Sequence, residues 1–205
     1  MAPTRTDRRT QLRRRREAIE QAILDATEAL LADRPFRDLS IEDVMTRAGL
    51  TRTAFYRYFP DLEAVLLRQL LHARGELGRA ADLWLNIDVD PREGLLPAAT
   101  ALAEVFCQHG RLLLALADAS AGSPDIEQAW HAAIQSFVAP VQARIEGLHQ
   151  QGLCQIADPA QTAIALVWMN ERYLLETYGR DQGLPIPEAA QTLATIWRRT
   201  LFAEP

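Results

Sequence analysis

Residues 40–63, SIEDVMTRAGLTRTAFYRYFPDLE, decide how the rest of the chain is read. Ile41, Val44, Met45 and Ala48 fall at helical spacing, Gly49-Leu50 breaks the run, and Thr51-Arg52-Thr53 reopens a second short helix carrying Ala54, Phe55, Tyr56 and Tyr58. Ser40 suits an N-cap, and Asp43 three residues on takes the acidic place of a capping box; Thr51 suits the cap of the next helix. Two helices of about two turns each across a glycine-containing turn make a helix-turn-helix, whose second helix is the element that enters a DNA major groove. The aromatic run then ends at Phe59-Pro60, and Asp61 and Glu63 open another helix with an apolar stripe at Ala64, Leu67 and Leu71.

Upstream, residues 1–14 are polar and read as disordered. A helical pattern starts at Glu17, runs through Ile19, Ala22, Ile23, Ala26, Leu30 and Leu31, and stops at Asp33-Arg34-Pro35. Downstream, the helix from Asp61 extends to about Leu85, and Asn86–Gly94 is a loop. Leu95–His109 is helical; Gly110 is read as an interruption, with Arg111–Ala119 a separate helix. Asp125–Gln151 is one long pattern in which Pro140 should bend or split the helix by removing an amide donor. Ala160–Tyr178 is strongly apolar, and Glu188–Phe202 is the last helix. No stretch shows strand alternation. The expectation is an all-α fold of about nine helices: a basic flexible arm (1–16), a three-helix DNA-binding headpiece (17–60) and a helical body (61–205).

The chain has 205 residues, 48% apolar and 24% charged, ordinary for a globular protein with a sizeable core. No apolar run is long enough to span a membrane and nothing resembles a secretory signal, so the expected location is the cytoplasm. Cys107 and Cys154 are read as two buried thiols. A net charge of −5 argues weakly against nucleic acid, but the charge is segregated. Residues 1–16 carry seven Arg and one Asp; residues 73–205 hold 9 Arg against 16 acids. A basic end on an acidic body directs phosphate contacts to that end. Enzyme chemistry finds no support. The four histidines lack metal-ligand spacing, and there is no GxSxG, no phosphate-binding glycine loop and no CxxC, so neither catalytic residues, metal nor cofactor is expected.

LSIEDVMTRAGLTRTAFYRYFPDLEAVL, with its Ala48-Gly49-Leu50 turn and aromatic tail, resembles the DNA-binding signature of the tetracycline-repressor family of transcriptional regulators. WMNERYLLETYG (168–179), PEAAQTLATIW (187–197) and EVFCQHGRLLLALADAS (104–120) resemble the body helices of a mycobacterial branch of that family. The resemblance implies a homodimer closed by a four-helix bundle of the last two helices of each copy. It also implies a roughly palindromic double-stranded DNA operator and a hydrophobic effector pocket in each body, and so assigns effector binding and dimerisation to 61–205. It fits a repressor released by a small hydrophobic effector; the alternatives are an activator or dual regulator and, in a different class, a helical adaptor that binds protein.

From the residues themselves, Phe55 and Phe59, four apart, face the headpiece core, leaving Tyr56 and Tyr58 beside Arg52 and Arg57 for phosphates. Arg52 and Thr53 suit base edges, since an Arg fork fits guanine and a Thr methyl fits thymine; Arg57 suits either role. Ser40 serves as cap and phosphate contact together. In the family, the position of Tyr56 reaches backbone and bases and that of Tyr58 reaches phosphate. Leu62 stands where many members carry a backbone-reaching Lys, a loss for which Arg13, Arg14, Arg15 and Arg16 can compensate along the backbone or in a minor groove.

In the body, Asn170 sits inside the most apolar helix, where an unpartnered amide costs about 1–3 kcal/mol. It is therefore either paired with a polar group or pointed into a cavity. The resemblance implies the second, with Phe106, Trp130, Ile134, Phe137, Asn170 and Trp197 lining an elongated channel. Val167 replaces a second asparagine of that channel, and Leu95, Leu102 and Leu175 replace aromatics, which implies a less aromatic pocket with one polar anchor. Glu171-Arg172 is read as an internal or inter-subunit ion pair.

Overall fold

A computed structural model describes residues 5–180 and 183–202, with side chains from Arg9 onward. Eight α-helices follow one another: α1 (Arg5–Leu31), α2 (Ile41–Arg47), α3 (Arg52–Phe55), α4 (Leu62–Leu85), α5 (Leu95–Ser120), α6 (Pro124–Gln150), α7 (Pro159–Gly179) and α8 (Ile186–Leu201). A 3-10 turn, Phe36–Asp38, lies between α1 and α2. Among the described residues there is no strand, and no helix is long and apolar enough to cross a membrane. The chain divides into two compact units, Met1–Gln69 and Leu70–Pro205, so α4 gives its first turns to one and the remainder to the other.

The first unit is organised by α2. Its start carries the expected capping box: the Ser40 hydroxyl accepts from Asp43 N–H at 3.2 Å, while Asp43 Oδ2 accepts from Ser40 N–H at 3.1 Å. Its end is a Schellman closure. Gly49 N–H donates to Thr46 O and Leu50 N–H to Met45 O, with Gly49 at φ 68°, a left-handed conformation that a residue without Cβ adopts at little cost. Thr51 precedes α3 without a side-chain capping bond. Val44, Met45, Phe55, Phe59, Val65 and Leu66 are buried together with Ile23 and Leu24 of α1. Gln69 Nε2 donates to Leu24 O at 3.0 Å and Arg68 pairs with Glu20, tying the start of α4 to α1.

Two expectations about this unit are corrected. α1 begins at Arg5 and takes in the arginine-rich stretch read as disordered: no Pro or Gly interrupts residues 5–31, Arg is a good helix former, and Arg13 pairs with Glu17 one turn on at 3.4 Å. The second helix of the motif is one turn, not two. After Phe55 the chain continues in turns, Tyr58 N–H donating to Phe55 O at 2.8 Å.

In the second unit α5 packs against α6, α7 and α8, and α6 against α7. Leu112, Leu113, Leu116, Ile145, Leu148 and Leu174 are fully enclosed there. Asp158 caps α7 by accepting from Gln161 N–H at 3.0 Å, and Pro159 occupies the first helical position, where its missing amide costs nothing.

The count of helices is eight because Gly110 does not interrupt α5. Its role is close approach. A Cβ at Gly110 would stand 2.6 Å from the Tyr178 carbonyl oxygen, and one at Gly179 would stand 3.1 Å from Gly110 O. The two glycines let the α5 and α7 backbones touch. Pro140 likewise does not split α6, which runs unbroken from Pro124 to Gln150. Cys107 is exposed, against expectation; only Cys154 is buried, and burial pushes its thiol up.

Candidate functional site

The residues singled out for function fall into two sets, one in each unit. In the first unit, Phe55 and Phe59 are essentially fully buried, their rings 6.0 Å apart, and they hold the turn after α3 against the core. Arg52, Thr53, Tyr56 and Arg57 are exposed and Tyr58 is half-buried. Arg52 and Thr53 lie on α3, and Tyr56 and Arg57 follow in the turns after it, all four with exposed side chains. Tyr56 is the informative member: 55% of an aromatic side chain is left in water beside Phe55, whose ring it meets edge-on at 5.6 Å. Ser40 is exposed, but its hydroxyl already donates to Asp43 Oδ2 at 2.6 Å. That bond, the Ser40 amide and Arg34 beside it hold the Asp43 carboxyl below the usual range. Arg13, Arg14, Arg15 and Arg16 are exposed on α1, and Leu62 is half-buried at the start of α4.

In the second unit, α4, α5, α6, α7 and α8 line a cavity of about 120 Å³. All six residues expected to line it do so: Phe106 from α5, Trp130, Ile134 and Phe137 from α6, Asn170 from α7 and Trp197 from α8. Of the positions where an aromatic or amide was expected to be missing, Leu95, Leu102 and Val167 are on the wall. Leu175 is buried and is not among the lining residues.

The polar features of this cavity are few and specific. The indole N–H of Trp197 donates to Asn170 Oδ1 at 3.0 Å, and among the described residues the Asn170 Nδ2 donors make no hydrogen bond. Arg74 of α4 reaches the wall with its Nε donating to Ser136 Oγ at 3.1 Å. Glu171 also lines the cavity, only 6% exposed, and neither carboxylate oxygen makes a hydrogen bond. Arg172 Nε stands 3.9 Å from Glu171 Oε2, beyond hydrogen-bond reach, and its own side chain is mostly in solvent. The expected Glu171–Arg172 ion pair is therefore a loose contact. Burial pushes the Glu171 carboxyl up, with Arg172 opposing and Glu176 adding to the shift.

Sequence reasoning missed the contribution of α4, whose Leu70, Leu77, Trp84 and Leu85 form one wall, and of Ala98 and Ala99, whose small side chains leave the space. Trp84 packs edge-on to Trp197 at 5.2 Å and donates its indole N–H to Pro91 O at 3.0 Å. Among the described residues, no group of three His, Cys, Asp or Glu stands where it could hold a metal ion.

Residues 23–68 match the bacterial regulatory proteins of the tetR family, and residues 96–203 match the C-terminal domain of the transcriptional regulator EthR. The chain belongs to the tetR family of DNA-binding transcriptional regulators. Within it, the chain is 32% identical to the HTH-type transcriptional regulator EthR of Mycobacterium tuberculosis, over 90% of this chain and 88% of that one. It is 30% identical to the EthR of Mycolicibacterium smegmatis, over 89% and 86%. Two solved structures share the fold. The TetR-family regulator PfmR from Thermus thermophilus has a TM-score of 0.74 at 21% identity, covering 89% of this chain and 99% of that one. Reduced NemR from E. coli has a TM-score of 0.71 at 18% identity, covering 91% and 100%.

Proposed function

We propose that this chain is a sequence-specific repressor that binds a roughly palindromic operator as a homodimer in the cytoplasm and is released by a small, mostly apolar effector held beside Asn170. The observation that carries the DNA-binding half is the outward set Arg52, Thr53, Tyr56 and Arg57, backed by the buried Phe55 and Phe59. Arg52 and Thr53 read base edges; Tyr56, Arg57 and Tyr58 engage phosphate and adjoining bases; Ser40 and Arg13–Arg16 add backbone contacts. A one-turn recognition helix gives too little contact for tight binding alone, so two copies are needed, reading successive major grooves. α7 and α8 provide the dimer contact. Half-buried Ile164 and Trp168 on α7 and exposed Ile196 on α8 are apolar groups left for a partner.

The effector half rests on the cavity. At about 120 Å³ it is below the roughly 300 Å³ typical of small-molecule pockets, so a ligand longer than a few carbons has to widen it. α4 supplies one wall and also belongs to the headpiece, so widening moves α4 and changes the separation of the two recognition elements. A ligand acts this way only through preferential binding to the DNA-incompetent state. The test is a mobility-shift titration of the full chain on DNA from upstream of its own gene. A shift that survives excess scrambled competitor is expected; equal competition by scrambled DNA refutes sequence-specific binding.

A further inference from the structure

Glu171 has no place in the account so far. Its carboxylate is more than nine-tenths buried, both oxygens lack hydrogen bonds, and it lies on the wall of an otherwise apolar cavity. An isolated carboxylate held away from water is costly, and the cost is relieved by protonation or by a donor or cation brought to it. Among the described residues no donor reaches hydrogen-bond distance, and the one cation beside it, Arg172, makes only a loose ion pair. Arg172 is 3.9 Å away and points to solvent, and Arg74, the other ionisable group on the wall, has its Nε engaged by Ser136. The surrounding wall includes the rings of Trp84, Phe106, Trp130, Phe137 and Trp197, and an aromatic ring can attract a cation as well as an apolar chain. Asn170 is one residue away and turned about 100° around the helix, so the two side chains serve different points along the cavity.

We propose that the cavity has a cation-accepting end at Glu171 and that its effector is an elongated apolar amine, whose ammonium group donates to Glu171 Oε1 and Oε2. The aromatic wall holds the apolar body, and the Asn170 Nδ2 donors remain for an acceptor elsewhere on the molecule. A carboxylate against a protonated amine separates this effector class from neutral lipids and esters, which leave Glu171 unsatisfied, and from fatty acids, whose carboxylate it repels. This assignment rests on the effector reading of the cavity and refines it.

Two probes of equal length, 1-hexylamine and 1-hexanol, distinguish the possibilities. Each is titrated into the full chain near pH 7.5, with the emission of the cavity tryptophans as readout. The wild-type protein is expected to bind the amine about tenfold more tightly than the alcohol. Glu171→Gln is expected to abolish that preference while alcohol affinity stays within about threefold, since the carboxamide keeps the shape and loses the charge. A melting curve establishes that the variant is folded, and the wild-type comparison stands without it. Alcohol binding as tight as the amine, or an amine preference that survives in folded Glu171→Gln, overturns the cationic assignment alone. Failure of both probes to bind overturns the effector reading and this inference with it.

Discussion

Trp197 donates its indole N–H to Asn170 Oδ1 across 3.0 Å, joining α8 to α7 at the cavity wall. That bond sets the orientation of the amide, because an N–H donor must face the oxygen, and so it is the Nδ2 side that is left open. Asn170 is thus both paired and available, where the sequence offered these as alternatives. Asn170→Leu strands the Trp197 N–H in an apolar wall and is expected to cost about 1–3 kcal/mol in denaturant melts. The same change weakens ligands bearing an amide or carbonyl, while operator affinity stays nearly unchanged. An undiminished melt places the Trp197 N–H in contact with water.

Arg52 is the exposed side chain at the first position of α3. Arg52→Ala is expected to weaken operator binding by about 1–3 kcal/mol and to relax selectivity at one base pair of each half-site. Titration of a set of single-base operator variants checks this. Equal losses on operator and scrambled DNA make Arg52 a phosphate contact.

Gly110 and Gly147 make a matched pair. A Cβ at Gly110 collides with the Tyr178 carbonyl at 2.6 Å, while at Gly147 it meets nothing within 4 Å. Gly110→Ala is expected to destabilise by about 1–3 kcal/mol, because backbone on one side of the contact must move. Gly147→Ala is expected to stabilise by about 0.5–1 kcal/mol through reduced freedom of the unfolded chain. Urea denaturation of the two variants decides both signs.

Glu171 makes stability depend on pH in a stated direction. Desolvation raises its folded value above the ordinary 4.5, so the folded state holds the proton more tightly than the unfolded chain does. Below 4.5 the group costs nothing through ionisation; stability falls as pH climbs from there to the raised value, and is level beyond it. Glu171→Leu is therefore expected to gain stability relative to wild type on going from pH 5 to pH 8. A difference that does not change with pH means the carboxyl is paired or solvated in solution.

How much of this was legible in the sequence depends on the range of the interaction. The helix-turn-helix was readable because its determinants are local: Ser40 with Asp43 at the start of α2, Gly49 at its end, Phe55 and Phe59 four apart. Gly110 was misread because its purpose lies 69 residues away, at Gly179, and a glycine inside a helical pattern looks the same whether it breaks the helix or admits another backbone. Glu171 does pair with Arg172, as read, but only loosely, at 3.9 Å. Arg172 is its neighbour in sequence, but consecutive residues point to different faces of a helix, so one is enclosed and the other is in solvent. The aromatic lining residues were recovered from the family resemblance; the alanines that create the space carry no signal of their own.

The central claim is that cavity and operator are coupled through one protein, and coupling of this kind is reciprocal. The most direct measurement takes a cavity-binding compound and determines its dissociation constant with and without saturating operator. It also determines the operator's dissociation constant with and without saturating compound. The account predicts that each weakens the other by the same factor, a hundredfold effect corresponding to about 2.7 kcal/mol. A compound that occupies the cavity beside Asn170 and leaves operator affinity unchanged contradicts it.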